Sequence, residues 1–195
     1  MKSVRILIWP AIVGLWILLV SATTIYDDFH AFDQIRVSGP VELLLVPGEE
    51  ASVSQVSNQD LSITIENKIL KIVGREETTP AIIKVTYHTL RSIHAADGAM
   101  VTAVEAIPAK TLMINLENEA AASLNLTAEM VIANAFDQSY MKVEGQIGNF
   151  MVNFKDSELV YGKLSIEQSS INIQNGSACG ESKTQSKSKK KTRSI

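Results

Sequence analysis

The sequence predicts an all-β protein, a parallel β-solenoid with coils of about 19 residues and an irregular β cap at its N-terminal end. Three observations predict it. Asn115, Asn134, Asn153 and Asn172 stand at one fixed spacing, and Asn118, Asp137, Asp156 and Asn175 keep the same one. Between these columns apolar and polar residues alternate with period two, the mark of a strand with one buried face. A fixed period of this size means that each copy buries its apolar side only by lying on the next.

Met1 to Ala22 reads as a targeting segment. Lys2 and Arg5 precede the apolar run Ile6 to Val20, and Val20-Ser21-Ala22 offers a small-residue cleavage site. The run is short for a spanning helix, so a signal peptide at 1–22 is expected, with an N-terminal inner-membrane anchor as the alternative. Export agrees with a chain whose only cysteine is Cys179, expected to fill the last turn.

From Phe32 to His88 the chain is rich in short strands that do not follow the repeat. Ile35 to Val46 alternates around Val37, Val41, Leu43 and Leu45, and Pro47-Gly48 then turns the chain. Leu61, Ile63 and Ile65 alternate with Ser62, Thr64 and Glu66, Asn67-Lys68 turns into Ile69 to Val73, and Ala81 to Tyr87 forms another strand. This region is expected to cap the stack, because a solenoid needs an atypical end to stop edge pairing.

The repeats begin near Arg91 and the last copy ends near Gly180, so 23–180 is expected to be one domain. In the first strand of each copy the core columns are Leu112, Ile114 and Leu116; Val131, Ala133 and Ala135; Phe150, Val152 and Phe154; then Ile171 and Ile173. In the second, Leu124, Leu126 and Ala128 are matched with Met141, Val143 and Ile147 and with Val160, Leu164 and Ile166. Asn118, Asp137, Asp156 and Asn175 fall at the turns, where residues that tolerate left-handed backbone belong. About 3.3 Å per residue gives a coil roughly 60 Å around, with rungs about 4.8 Å apart. A leucine-rich repeat would need a helix per unit, and no helical period appears.

Charge is divided along the chain. Thr23 to Gly180 carries ten basic and twenty acidic residues, a net of minus ten, whereas Glu181 to Ile195 carries six basic and one acidic, plus five. The tail at 181–195 has almost no apolar residue and is expected to be disordered. Its Lys187, Lys189, Lys190, Lys191 and Arg193 could touch anionic lipid or lipopolysaccharide. Nothing points to a specific nucleic-acid partner.

Residues that would carry catalysis are scarce. The sequence holds no glycine-rich phosphate loop, no G-x-S-x-G, no H-E-x-x-H and no Cys/His nucleophile arrangement. His88 and His94 near Asp97 lack a recognised ligand spacing, so no metal and no cofactor are expected. Glu144, Glu158 and Glu167 do not share a repeat column, as paired carboxylates of a glycan hydrolase would.

The outward side of the first strand is unusual. Met113 and Asn115, Ile132 and Asn134, and Met151 and Asn153 put an apolar column beside an amide column. Stacked amides can bond from rung to rung. An exposed apolar stripe marks a contact with a partner or a second copy.

Several segments resemble the putative auto-transporter adhesin, head GIN domain family. They are Phe32-Asp33-Gln34-Ile35-Arg36-Val37-Ser38-Gly39-Pro40-Val41-Glu42-Leu43, then Leu70-Lys71-Ile72, then Val85-Thr86-Tyr87 leading into Asp97-Gly98-Ala99. The turns depart from the family's small-residue pattern at Asn118-Glu119-Ala120, Asp137-Gln138-Ser139, Asp156-Ser157-Glu158 and Asn175-Gly176-Ser177. The resemblance implies an exported, non-enzymatic β domain of the periplasm or cell surface that mediates adhesion or contacts an envelope protein or glycan. A passive structural envelope protein and, less in keeping, a polysaccharide-acting β-helix enzyme are the alternatives.

Overall fold

Left-handed turns at one recurring corner shape the chain. Asp97, Asn118, Asp137, Asp156 and Asn175 all adopt positive φ, between 51° and 57°. Asn and Asp reach this region at low cost, which lets the backbone reverse direction without glycine. The corners also stack. The Gly98 amide donates to the Asn118 carbonyl, Glu119 to Asp137 and Gln138 to Asp156, at 2.8 to 2.9 Å.

The computed structural model describes residues 32–57, 60–75, 79–103 and 105–184, the last four by backbone alone. Thirteen strands form one curled, mixed sheet, and no helix occurs among the described residues. The all-β expectation holds. A parallel solenoid with regular coils describes the sheet only in part, because two pairings are antiparallel, the N-terminal strands stack out of chain order and the register slips near the C-terminal end.

The long strands are β9 (Ile107–Leu116), β10 (Ala121–Ala135), β11 (Tyr140–Lys155), β12 (Glu158–Gln174) and β13 (Ser177–Thr184). They pair in parallel, one after another, and Asn115, Asn134, Asn153 and Asn172 are register partners. Their inward residues, among them Leu112, Val131 and Phe150, are fully buried. The sequence repeat is therefore a spatial repeat.

The alternating stretch Ile35 to Val46 is broken at Gly39 (φ 82°) into β1 (Gln34–Ser38) and β2 (Val41–Pro47). β1 lies between β5 (Ile69–Gly74) and β7 (Ser92–Ala96); β2 lies between β6 (Ala81–Tyr87) and β8 (Met100–Ala103). These parallel rungs join strands far apart in sequence, so no period announces them. β4 (Leu61–Glu66) and β3 (Ser52–Gln55) then pair antiparallel with β5 and β6 and stand at the two ends of the strand order among the described residues.

Three core assignments change. Leu159, not Val160, faces the interior: Val160 is the partner of Lys142 and Leu159 of Met141. The register shift between Tyr161 and Leu164 absorbs a residue there, and a slip of one residue exchanges the two faces. Leu124 stands over Val143 rather than Met141, because β10 and β11 keep one constant register with no shift between them. Ile171 is 45% exposed, and among the described residues no strand pairs with its segment on the side away from β11. Cys179 is exposed and fills no turn. β13 runs on to Thr184, past the domain end expected at Gly180.

Candidate functional site

One outer face stands apart chemically. Its strand segments are 111–116, 130–135, 149–154 and 168–173, and alternation sends every second side chain outward. Register places these side chains in three columns. One holds Thr111, Met130, Asn149 and Gln168; the next Met113, Ile132, Met151 and Ser170; the third Asn115, Asn134, Asn153 and Asn172. None of the twelve positions carries a charge. Charge begins at the flanks, with Lys110, Glu129 and Glu167 on one side and Glu117 and Lys155 on the other.

The apolar column is open to solvent. Met113 is 42% and Met151 47% exposed, whereas Ile132, between them, is half-buried. The amide column is bonded in pairs. Asn134 Nδ2 donates to Asn115 Oδ1 at 2.9 Å and Asn172 Nδ2 to Asn153 Oδ1 at 3.1 Å. Each bond stabilises the stack by about 1 kcal/mol and leaves further amide capacity facing out. The six strip residues Met113, Asn115, Ile132, Asn134, Met151 and Asn153 thus lie together, as their spacing predicts.

The asparagine column continues past the repeats. Asn115 is the partner of His94, His94 of Arg36 and Arg36 of Lys71. Arg36 and Lys71 are exposed and His94 half-buried. Sequence reading misses this extension, because the three residues sit on strands separated by long connections.

The remaining candidates do not converge. His88 is exposed and lies in the connection between β6 and β7, whereas His94 lies on β7. Glu144 stands over Asn125 and pairs with Lys142 at 2.9 Å, a contact that raises the Lys142 pKa first through its hydrogen bond. Glu158 is the partner of Tyr140, and Glu167 lines an open groove of about 850 Å³ with Lys110, Glu129 and Asn149. Among the described residues no group of three His, Cys, Asp or Glu side chains could hold a metal. Two buried phenols have hydroxyls without a partner among the described residues, Tyr87 and Tyr161. Burial pushes both pKa values up, that of Tyr87 to about 12 with a smaller contribution from Glu105. Lys187, Lys189, Lys190, Lys191 and Arg193 lie outside the described residues, as does the segment 1–22.

Among the described residues, a β sheet curled from stacked rungs thus presents one uncharged outer face. The chain belongs to the family described as putative auto-transporter adhesin, head GIN domain, which matches residues 31–186. No curated protein matches it. Its fold is similar to that of a putative adhesin from Bacteroides fragilis, with a TM-score of 0.56 at 12% identity, covering 80% of this chain and 91% of that one. It is also similar to a putative adhesin from Parabacteroides distasonis, with a TM-score of 0.52 at 13% identity, covering 80% and 90%. At such identities the likeness is one of fold.

Proposed function

We infer that this protein is an exported, non-enzymatic component of the cell envelope, whose uncharged face mediates adhesion or contact with an envelope protein or glycan. The observation that carries the reading is the run of twelve outward positions without a charge, with Met113 and Met151 open to water. The rest of the domain is acidic, and large apolar side chains left exposed in a row are the usual mark of a contact surface. Membership of an adhesin family supports the same reading. The rungs from β9 to β13 are read here as a β-solenoid, an architecture that holds such a face flat and stiff.

Two measurements test it together. Protease shaving of intact producing cells should release fragments of the domain, since adhesion requires surface exposure. Met113→Lys with Met151→Lys should abolish attachment and any self-association while leaving the far-UV spectrum unchanged. Undiminished attachment by the folded double variant would overturn the reading.

A further inference from the structure

The cationic end of the amide column is locally unfavourable. Arg36 and Lys71 are direct register partners on neighbouring strands, and His94 adjoins Arg36 on the other side. Like charges directly opposite destabilise a sheet. Neither Arg36 nor Lys71 has an ion pair among the described residues, although the domain carries twice as many acids as bases. The nearby Arg91 shows the contrast: it is paired with Asp33. A local conflict of this kind, in an otherwise consistent sheet, is where a functional constraint is expected.

The column then continues as four asparagines, so seven successive rungs each present one donor side chain on a single line. Six steps of about 4.8 Å make that line roughly 29 Å long. Met113, Ile132 and Met151 run alongside it.

We propose that this donor line binds a linear anionic glycan laid along the stack axis, its acidic groups held by Lys71, Arg36 and His94 and its hydroxyls by the asparagines. The proposal rests on the reading that this face is the contact surface. One donor per rung, at a spacing close to the length of one sugar in an extended chain, suits a polymer. The methyl and methylene groups of the methionine column suit the apolar faces of sugar rings. A bilayer is matched less well, because it would need cations spread beside the apolar column, and here they are gathered at one end.

The test uses heparin as the linear anionic glycan, dextran as its uncharged counterpart, and vesicles of phosphatidylglycerol with phosphatidylcholine as the anionic membrane. The parent for these measurements is the full chain with Lys187→Gln, Lys189→Gln, Lys190→Gln and Lys191→Gln, since the tail would attract any polyanion. In that background Arg36→Gln with Lys71→Gln should weaken heparin binding about tenfold and reduce the salt slope by about two. Asn134→Ala with Asn153→Ala should weaken it about threefold at an unchanged slope, because uncharged contacts release no counterions. Dextran should bind neither well nor differently among the variants. Heparin affinity that ignores either pair of substitutions would overturn the proposal, as would binding to vesicles without binding to heparin. Loss of cell attachment in the Met113 and Met151 variant, with no heparin binding by the parent, would leave the adhesive reading standing and remove the glycan.

Discussion

One methyl group at Gly145 should cost this protein more than the same group at Gly98, and the difference can be worked from the stack. Gly145 has φ 110° and lies at the register shift in β11. A Cβ there would overlap the Leu126 carbonyl oxygen and come within 2.7 Å of Asn125 Oδ1 and 2.9 Å of Leu126 N. Two of those atoms are backbone of the adjoining rung and cannot rotate aside. Left-handed backbone with a Cβ costs about 1–2 kcal/mol and overpacking about 1–3 kcal/mol more, so Gly145→Ala should lose about 2–5 kcal/mol. Gly98 also has positive φ, 76°, but nothing lies within 4 Å of its Cβ position. Only the backbone cost remains, about 1–2 kcal/mol. In urea melts followed by far-UV circular dichroism, the two variants should separate by about 1–3 kcal/mol, or roughly 2–12 °C in Tm. Equal losses would show that the rungs do not approach at Gly145 as described, and the stacking argument would fail with them.

Further outcomes follow from the same packing. Phe150→Ala, within the filled core, should lose about 3–5 kcal/mol by urea melt, whereas Ile171→Ala, at a partly exposed position, should lose less than about 2 kcal/mol. Asn134→Ala removes the bond to Asn115 and should cost about 1 kcal/mol in the same melt, while the exposed Asn125→Ala should stay within about 0.5 kcal/mol of the parent. Tyr87 sets a pH dependence whose sign is fixed by its raised pKa, about 12 when folded against 10.0 for an ordinary tyrosine phenol. Its contribution is complete below pH 10 and is lost as the pH climbs toward about 12, on the order of 2 kcal/mol, because only the unfolded chain releases the proton easily. Chemical denaturation at stepped alkaline pH should show this loss, and Tyr87→Phe should blunt it.

The repeats were legible because each rung writes the same chemistry into the chain at a fixed interval. Asn115, Asn134, Asn153 and Asn172 share a column, and Asn118, Asp137, Asp156 and Asn175 all turn left-handed, as their types and spacing predict. Alternation alone failed at Val160. The register shift beside Tyr161 is a property of how two rungs meet, and a single strand's pattern carries no trace of it. The N-terminal rungs were hidden for another reason. Arg36 meets Lys71 and His94 only after long connections have closed, so neither the out-of-order stacking nor the basic end of the donor line leaves a period to read. The exposed methionine strip was legible from the same alternation that placed the core, and its freedom from charge became apparent once register joined the columns into a face.

Hydroxyl-radical footprinting tests the contact face most directly, because methionine oxidation reports side-chain exposure site by site. Met113, Met151 and Met100 are all open in the isolated protein, at 42%, 47% and 46%, whereas Met141 is fully buried. Met100 lies on β8, away from the uncharged face, and serves as the exposed control. On intact producing cells, Met113 and Met151 should be protected relative to the purified protein, with Met100 still oxidised and Met141 protected in both. Equal oxidation of Met113, Met151 and Met100 on cells, or protection of Met100 alone, would contradict the assignment of this face as the surface that binds.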